Sequence, residues 1–474
     1  MPNLMEKIIS LCKRRGFVFP SSEIYGGFGS CYDFGPLGVE MKNNIKRAWW
    51  EEMTKNQNPP AGGIVGLDAA ILMSPKVWEA SGHLTAGFAD ELVECKSCHK
   101  RFKADEIKQR LHTPPPPSRP KGWPLVCPEC GGQFTEPRKF NLMMKTFVGP
   151  VEDEAAVTYL RAETCQGIYM NYENVLNSMR LKIPFGMAQV GKAFRNEITT
   201  KNFIFRIREF DQMEMEWFCH PKEAEKYFDY WKKERINWYI NLGIKKENLR
   251  LREVPKEERP HYSKETVDIE YKFPFDWGEL EAINNRGDFD LSNHSKNSGK
   301  DLRYVDELRS SSPSLRSVFD EETKERYFPY ITETSAGVER IFLAILCDAY
   351  QEIEGGRTKT TKPTKEVEVL LKLDKKIAPI KVAVLPLVRN KPELVKKAKE
   401  VYQLLKPYFT CQYDELGSIG RRYRRQDEIG TILTLTIDFE SLKQEDLTVR
   451  DRDTMKQERV KIKNLVEVLK RTLK

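Results

Sequence analysis

The chain has 474 residues, which exceeds the size of one hydrophobic core and predicts two or three domains. Its formal net charge of +8 favours a polyanionic partner, although a merely soluble basic protein has the same balance. No apolar run approaches the length of a membrane span, and the N-terminus lacks the apolar stretch of a signal peptide. These features argue against a membrane protein, and we expect a cytoplasmic chain without a cleaved leader.

The first region, residues 1 to about 92, opens with a predicted helix. A GPLG turn at residues 35–38 then precedes an amphipathic pattern from Val39 to about Met53, which predicts a long helix. By itself, this pattern is typical of a helix that packs on the core.

Two C-x-x-C pairs, Cys95–Cys98 and Cys127–Cys130, account for four of the ten cysteines. Such pairs place four thiolates around one tetrahedral ion, and the two glycines after the second pair permit a tight turn. The pairs therefore predict a structural Zn²⁺ site within an insertion at residues 93–137. Disulfides and redox chemistry are the alternatives, which a cytoplasmic location disfavours. The other cysteines are scattered, as is usual for small buried apolar side chains.

A charged hairpin is predicted in the middle of the chain. Two strand-like runs, Lys192–Ile198 and Phe203–Glu216, flank a polar loop at Thr199–Asn202. Along the second run apolar and charged residues alternate, so one face is expected to be apolar and the other to present Arg206 and Arg208.

Several side chains of this hairpin suit a nucleotide. Arg195 can neutralise a phosphate, Glu197 can accept from an amino group, and Phe210 offers a ring on which a base can stack. The same pattern also fits a solvated charged hairpin, and the residues alone do not decide between the two.

A linker rich in Gly, Pro and Lys, Gly355–Val367, separates the C-terminal region. Beyond it, residues 380–388 and 432–439 read as buried strands, and residues 392–408 and Lys463–Leu473 read as helices. Alternating strands and helices over about a hundred residues predict a compact α/β module.

A basic cluster lies within this module. Arg421, Arg422, Arg424 and Arg425 surround Tyr423. Arginines bind phosphates and an aromatic ring stacks a base, so the cluster suits a single-stranded RNA loop. A simply solvated charged segment is the alternative.

Longer motifs occur in a fixed order along nearly the whole chain. They are YDFGPLGVEMKNNIKRAWW (32–50), PRKFNLMMKTFVGP (137–150), ETCQGIYMNY (163–172), FRNEI (194–198), REFDQME (208–214), VDIEYKFPFDWGELEAI (267–283), SAGVER (335–340) and TVRDRDTM (448–455). FRNEI and REFDQME resemble motif 2 of class II aminoacyl-tRNA synthetases. The complete series resembles glycyl-tRNA synthetases of the single-chain, homodimeric type.

The resemblance implies an architecture. Residues 1–365 would form a class II catalytic domain, an α+β fold built on an antiparallel sheet, with the zinc-bearing insertion at 93–137. Residues 366–474 would form a C-terminal α/β anticodon-binding domain. The helix that begins near Val39 would be motif 1, which builds the interface of a homodimer in this family.

The resemblance also implies a reaction that uses ATP and Mg²⁺: glycine is activated to glycyl-adenylate and transferred to the 3′ end of glycine tRNA. Arg195, holding the α-phosphate and the glycine carboxylate, and Arg340, holding the γ-phosphate, would be the catalytic residues. Glu279 matches the acidic position for ATP and Mg²⁺, and Glu281 should share its strand face. The full implied ATP-binding set is Arg195, Asn196, Glu197, Phe205, Arg206, Ile207, Arg208, Glu209, Phe210, Glu279, Leu280, Gly337, Val338, Glu339 and Arg340.

Glycine has no side chain to grip, so recognition must use its ammonium group and exclude a Cβ. An ammonium has three donors and no acceptor, and several carboxylates therefore make a natural cage. Glu163, Glu214 and Glu333 match the glycine-contacting glutamates of the family, with Ser335 beside them. The full implied glycine-binding set is Arg101, Glu163, Phe210, Asp211, Gln212, Met213, Glu214, Glu333, Thr334, Ser335, Ala336 and Gly337.

Some residues depart from the family pattern, and we expect them to lower catalytic efficiency rather than to change the activity. They are Ala162, Cys165, Ala282, Asn284, Gly287, Thr334 and Ile432. The alternative function is a synthetase-like accessory or regulatory protein that binds nucleic acid and is catalytically impaired. Such a protein would have little need for both Arg195 and Arg340, so the enzyme is favoured.

Overall fold

A computed structural model of the chain describes residues 3–55, 62–84, 88–104, 107, 126–198, 202–306, 325–357 and 367–473. Its helices are α1 Leu4–Arg15, α2 Pro36–Thr54, α3 Pro75–Ala80, α4 Cys165–Met170, α5 Tyr172–Ser178, α6 Ala224–Asn241, α7 Phe289–Ser298, α8 Val338–Ala349, α9 Pro392–Leu405, α10 Ile419–Glu428, α11 Phe439–Gln444 and α12 Leu465–Leu473. Within these ranges, none of the helices has the length and apolar character needed to cross a bilayer.

The strands are β1 Val18–Pro20, β2 Tyr32–Phe34, β3 Ile64–Gly66, β4 Ala89–Glu94, β5 Arg101–Lys103, β6 Arg138–Asn141, β7 Met144–Phe147, β8 Val157–Leu160, β9 Phe185–Phe194, β10 Glu209–Cys219, β11 Leu249–Glu253, β12 Glu265–Phe273, β13 Asp276–Gly287, β14 Tyr304–Asp306, β15 Glu325–Tyr327, β16 Tyr330–Gly337, β17 Tyr350–Glu354, β18 Val367–Leu371, β19 Val382–Pro386, β20 Cys411–Tyr413, β21 Leu433–Ile437, β22 Asp446–Asp451 and β23 Gln457–Lys461.

A seven-stranded sheet organises the part of the chain before the predicted linker, with the strand order β11-β12-β13-β16-β10-β9-β3. Its neighbouring strands are antiparallel except for the parallel pair β3 and β9. The expectation of an α+β fold on an antiparallel sheet is confirmed.

Strand β10 shows how this sheet separates the core from the site. Met213, Met215 and Trp217 are fully buried in the main hydrophobic core, against which α2 and α8 also pack. Side chains alternate along a strand, so Glu214 and Glu216 project from the opposite face. Both carboxylates therefore lie on the face opposite the main core, where Glu216 is buried and accepts from the hydroxyl of Tyr169 on α4.

The predicted hairpin is only partly correct. Strand β9 ends at Phe194 and β10 begins at Glu209, whereas Phe203–Phe205 forms a 3-10 turn. The φ angle of Phe203 is +59°, which is incompatible with a continuous strand. The backbone N–H of Arg208 donates to the carbonyl oxygen of Ser30, outside the hairpin. Arg206 and Arg208 therefore do not share one face of a regular strand, as the alternating pattern predicted.

The C-terminal region is the predicted α/β module. Its sheet has the order β20-β19-β21-β22-β23, in which β19, β20 and β21 run parallel. The predicted buried strands and helices are present, and α10 carries the basic cluster. The predicted linker falls largely on residues 358–366, which lie outside the described ranges.

Candidate active site

A cavity of about 350 Å³ opens on the face of the seven-stranded sheet that carries Glu214. Strands β10, β13 and β16 and the start of α8 supply much of its wall. Many of the residues predicted to bind ATP or glycine meet there: Glu163, Arg195, Glu197, Phe205, Arg206, Ile207, Phe210, Gln212, Glu214, Glu279, Glu333, Ser335, Gly337, Glu339 and Arg340.

Glu214 is held by four donors. Its Oε2 accepts from the backbone N–H of Thr164 at 2.8 Å and from the hydroxyl of Thr164 at 2.5 Å. Its Oε1 accepts from Nε2 of Gln212 at 2.6 Å and from the hydroxyl of Ser335 at 2.7 Å. These bonds fix the orientation of the carboxylate, as charge-assisted hydrogen bonds do elsewhere.

Glu163 and Glu333 are held by basic side chains. The Nε2 of His83 lies 3.3 Å from Oε2 of Glu163. The Nη1 of Arg286 donates to Oε1 of Glu333 at 2.9 Å, and the Nε of Arg286 donates to Asp290 at 2.7 Å. All five side chains are almost fully buried, so these pairs form in a low dielectric.

The carboxylates differ in pKa because their surroundings differ. Burial, together with the charges of Glu333 and Glu163, raises the pKa of Glu214 to about 7. Burial also raises the pKa of Glu333, although Arg286 opposes the shift. For Glu163, burial is outweighed by His83 and Arg286, which hold its pKa well below the usual range. Three carboxylates converge here, and the one arginine among them, Arg286, is shared with Asp290, so the site has an excess of negative charge that suits a small cation.

The other half of the cavity carries the arginines. The Nε of Arg195 donates to the carbonyl oxygen of Ala162 at 3.1 Å, and its guanidinium lies 5.5 Å from the centre of the Phe210 ring. The Nη1 of Arg340 lies 3.0 Å from Oε1 of Glu279. Two arginines, an aromatic ring and a carboxylate in one cavity suit a nucleoside triphosphate with a metal ion.

Comparisons with known proteins decide the family. A model described as "tRNA synthetase class II core domain (G, H, P, S and T)" matches residues 150–350, and one described as "Anticodon binding domain" matches residues 381–472. The chain is 51% identical to the glycine–tRNA ligase of Thermobifida fusca, covering 98% of this chain and 97% of that one. It is 48% identical to that of Alkaliphilus oremlandii, covering 99% and 98%. The chain belongs to the glycine–tRNA ligase family. Its catalytic part is therefore a class II synthetase core, as the motifs indicated.

Some residues assigned from the family motifs do not line the cavity, as far as the described ranges define it. They are Asn196, Arg208, Glu209, Leu280, Val338, Arg101, Asp211, Met213, Thr334 and Ala336. Met213, Leu280 and Ala336 are buried in the helical core, because alternate residues of a strand face opposite sides of the sheet. Val338 is buried in the same core at the start of α8. Arg101 lies on β5, where its Nε donates to Glu94 at 2.9 Å.

Glu281 does not share the face of Glu279, and that prediction is wrong. It accepts from Nε of Arg235 at 2.7 Å and from the hydroxyl of Tyr239 at 2.8 Å, both on α6. A β-bulge shifts the register here, because Glu279 and Glu281 oppose the consecutive residues 270 and 269. An extra residue in one strand reverses the side on which later side chains project.

His83 and Arg286 are the important residues that the sequence did not reveal. A lone histidine carries no motif, and one arginine in a basic chain carries no pattern. The cavity is also lined by Arg252, Tyr262 and Asp268, which come from β12 and its neighbourhood at one side of the sheet. Only the long-range pairing of strands brings them to the site.

Cys95, Cys98, Cys127 and Cys130 converge as predicted. The sulfurs of Cys95 and Cys130 are 3.4 Å apart, those of Cys98 and Cys127 are 3.7 Å apart, and all four lie within 4.8 Å of one another. A tetrahedral zinc ion with Zn–S bonds of about 2.3 Å requires sulfurs roughly 3.8 Å apart. The four thiolates therefore fit Zn²⁺ with small adjustments.

The basic cluster is mostly built into the C-terminal module. Arg422 is 1% exposed and donates to the carbonyl oxygens of Pro386 and, at 3.0 Å, Leu387. The hydroxyl of Tyr423 lies 2.5 Å from that of Thr436. These two side chains hold α10 against the sheet. Arg422 has no open face for RNA, whereas Tyr423 is partly exposed.

The remaining arginines differ in exposure. Arg425 donates to Oδ2 of Asp414 at 2.6 Å, and Nη2 of Arg424 is buried without a hydrogen-bond partner within the described part of the chain. Arg421 is exposed. Of the cluster, Arg421 therefore presents its charge to solvent most directly.

Two of the departures from the family pattern support the carboxylates. The thiol of Cys165 donates to Oε1 of Glu163 at 3.0 Å, and Nδ2 of Asn284 donates to Oε2 of Glu333 at 2.6 Å. The structure thus gives these residues hydrogen bonds to the carboxylates, and the expected loss of catalytic efficiency stays a prediction.

The other departures differ in how well they fit their sites. Ala282 lines the cavity and is not among the residues with positive φ, so its Cβ causes no backbone strain. Gly287 has φ +59°, a conformation that favours glycine. The hydroxyl of Thr334 is buried without a partner among the described residues. Ala162 and Ile432 are simply buried in apolar surroundings.

Proposed function

We propose that this chain activates glycine with ATP in the presence of Mg²⁺ and transfers the glycyl group to the 3′ end of glycine tRNA. The observation that carries the proposal is the convergence of Glu163, Glu214 and Glu333 in the cavity that also holds Arg195 and Arg340. An ammonium site and a polyphosphate site beside each other are what amino acid activation requires.

In this reaction a carboxylate oxygen of glycine attacks the α-phosphorus of ATP, and pyrophosphate leaves. Negative charge grows on the phosphoryl oxygens, so fixed cations lower the barrier most if they already face those oxygens. Arg195 would neutralise the α-phosphate and Arg340 the γ-phosphate, while Phe210 would stack on the adenine. Glu279 and Asp268 are oxygen ligands that would hold Mg²⁺, which neutralises phosphate charge when bound.

Glycine would be selected by its ammonium group and by the lack of space for a Cβ in the cavity. The carboxylates accept its three N–H donors, and Ser335 and Ala282 line the same cavity. A Cβ on the substrate would have to displace one of these buried side chains, which hydrogen bonds and packing hold in place. Alanine and serine should therefore be rejected.

Charging of tRNA tests the complete function. The full-length protein should attach labelled glycine, and neither alanine nor serine, to glycine tRNA in the presence of ATP and Mg²⁺. Arg195→Ala and Arg340→Ala should each lower the rate by at least about 100-fold without unfolding the protein. A full-length protein that binds this tRNA but attaches no glycine would favour the accessory-protein alternative.

The finer assignments are proposals of the same kind. The four cysteines would hold one Zn²⁺ that orders the insertion, and the C-terminal module, with Arg421 foremost in its basic cluster, would bind the anticodon side of tRNA. The family motif at α2 implies a homodimer, which the exposed apolar residues Ile24, Tyr25 and Phe28 support because a second copy could cover them. We expect a cytoplasmic enzyme, since tRNA is used there in protein synthesis.

A further inference from the structure

Lys42, on α2, is a buried cation next to the cavity. Its Nζ contacts a carboxylate oxygen of Glu339 and lies 3.1 Å from Oδ2 of Asp211. The three side chains are 6%, 2% and 8% exposed, respectively. The ring of Phe34 packs against the ammonium, with its centre 4.2 Å away. A lysine so enclosed has given up its water and depends on these partners.

The two carboxylates do more than neutralise Lys42. The oxygens of Glu339 accept the backbone N–H of Asp211 at 3.0 and 3.2 Å. Glu339 lies in the first turn of α8 and Asp211 lies on β10, so this bond links the helix to the strand. Within the described ranges, Lys42 is the one Lys or Arg side chain at ion-pair distance from Glu339.

The link joins two residues that face the nucleotide half of the cavity. Phe210 immediately precedes Asp211, Arg340 immediately follows Glu339, and both line the cavity. We propose that Lys42 is a positioning residue for ATP: it keeps Glu339 charged and bound to the backbone of β10, so that Phe210 and Arg340 are aligned on one nucleotide. This inference rests on the proposed function.

The glycine carboxylates do not depend on Lys42. Glu163 is held by His83 and Glu333 by Arg286. Glu214 is held by Thr164, Gln212 and Ser335. Without Lys42, two buried carboxylates would repel each other, and Glu339 would leave the backbone of Asp211 or take up a proton. Replacing Lys42 should therefore lower kcat/KM for ATP and leave KM for glycine nearly unchanged.

Lys46 provides a matched control. It lies one turn further along α2 and contacts Oδ2 of Asp211 at 3.2 Å, but its side chain is 29% exposed. It makes no ion pair with Glu339 in the part of the chain that the structure describes. Lys46→Met removes the same kind of charge from the same helix without removing the partner of Glu339.

The test is steady-state glycine-dependent exchange of pyrophosphate into ATP, with full-length variants whose melting temperatures are also measured. Lys42→Met should lower kcat/KM for ATP by about 30-fold and leave KM for glycine within about twofold. Lys46→Met should change either value by less than about threefold. Equal losses in the glycine and ATP parameters, or no loss at all, would overturn the inference.

A double variant separates positioning from general destabilisation. If Lys42 acts through the α8 link, Lys42→Met in an Arg340→Ala background should cost much less than in the parent, because coupled residues are not additive. If the double variant lowers kcat/KM for ATP by the product of the two single losses, the inference is overturned.

If Lys42→Met does not fold, Lys42→Arg replaces it, because arginine keeps the charge but places it differently. Lys42→Arg must then lower kcat/KM for ATP while KM for glycine stays within about twofold. A parent protein without exchange would refute the proposed function instead.

Discussion

At the scale of single residues, Glu214 is a carboxylate of the proposed glycine site that titrates near neutrality. Burial, followed by repulsion from Glu333 and Glu163, raises its pKa to about 7. Below that pH the carboxyl gains a proton and loses the charge that holds an ammonium. KM for glycine should therefore fall as pH rises through about 7, by up to tenfold per pH unit on the acid side.

This pH dependence is measured by the same exchange reaction, with KM for glycine and KM for ATP determined separately. KM for ATP has a pH dependence of its own, because burial and the charge of Glu279 raise the pKa of Asp268, a proposed Mg²⁺ ligand, to about 7. A KM for glycine that stays level on both sides of pH 7 would contradict the assignment of Glu214 to the ammonium site.

Asn284 gives a second test at this scale. It donates to Glu333 at 2.6 Å, and its Oδ1 accepts from the hydroxyl of Thr266 at 2.7 Å. Asn284→Ala should raise KM for glycine by about tenfold or more, since a hydrogen bond to a buried charge is worth roughly 1.5–3 kcal/mol. The neighbouring Asn285, whose Oδ1 accepts from the backbone of Gly287, is the control. Equal effects of the two alanine variants on KM would show that Asn284 does not position Glu333.

Sequence reasoning found the acidic and basic residues that motifs mark, such as Glu214 and Arg195. It did not find His83 and Arg286, because their importance comes from partners far away in the sequence. Glu281 shows the other failure: a single bulge reversed its side of the sheet, and residue spacing alone cannot reveal a bulge.

At the scale of structural elements, the four-cysteine cluster is the sharpest test. The two C-x-x-C turns have the same hydrogen bond, from the backbone N–H of His99 to Cys95 and from that of Gly131 to Cys127. Full-length protein purified under reducing conditions should contain about one zinc per chain. Cys127→Ser should lose it and should impair tRNA charging more than glycine activation, because the cluster lies outside the cavity.

The matched control for that variant is Cys347→Ser, which changes a buried cysteine outside the cluster. It should retain the zinc. Metal analysis that finds far less than one zinc per chain in the parent protein would refute the zinc site.

Two neighbouring arginines of α10 differ in exposure, because Arg421 is exposed and Arg422 is buried. Arg421→Glu should weaken tRNA binding, and more so at low salt, because it reverses an exposed charge that faces a polyanion. Arg422→Met should instead lower the free energy of unfolding, by roughly 2–4 kcal/mol, because it leaves buried backbone carbonyls unpaired. Filter binding and thermal denaturation distinguish the two. If Arg421→Glu binds tRNA like the parent, α10 is not part of the RNA surface.

Helices and strands with one clear hydrophobic pattern were predicted well from the sequence. The amphipathic α2 and the apolar β21 are present close to their expected bounds. The strand expected from Phe203 onward does not form before Glu209, because alternation over a few residues does not reveal a backbone tied to Ser30.

At the scale of the whole molecule, the sequence predicted the parts but not how they join. Leu371, Leu373 and Ile377, from the C-terminal side, belong to the same hydrophobic cluster as Met41 of α2. Nδ2 of Asn44, also on α2, donates to the carbonyl oxygen of residue 378 at 3.1 Å. The catalytic part and the C-terminal module are thus packed together, and the linker composition gave no sign of this contact.

The central claim is that one cavity binds glycine by its ammonium and ATP by its phosphates. The most direct measurement is exchange of labelled pyrophosphate into ATP by the full-length protein with Mg²⁺, with glycine, alanine or serine as the amino acid. The account predicts exchange with glycine, little with alanine or serine, and at least about a 100-fold loss for Glu333→Gln as for Arg195→Ala. Exchange that does not depend on glycine, or no exchange by folded protein, would contradict it.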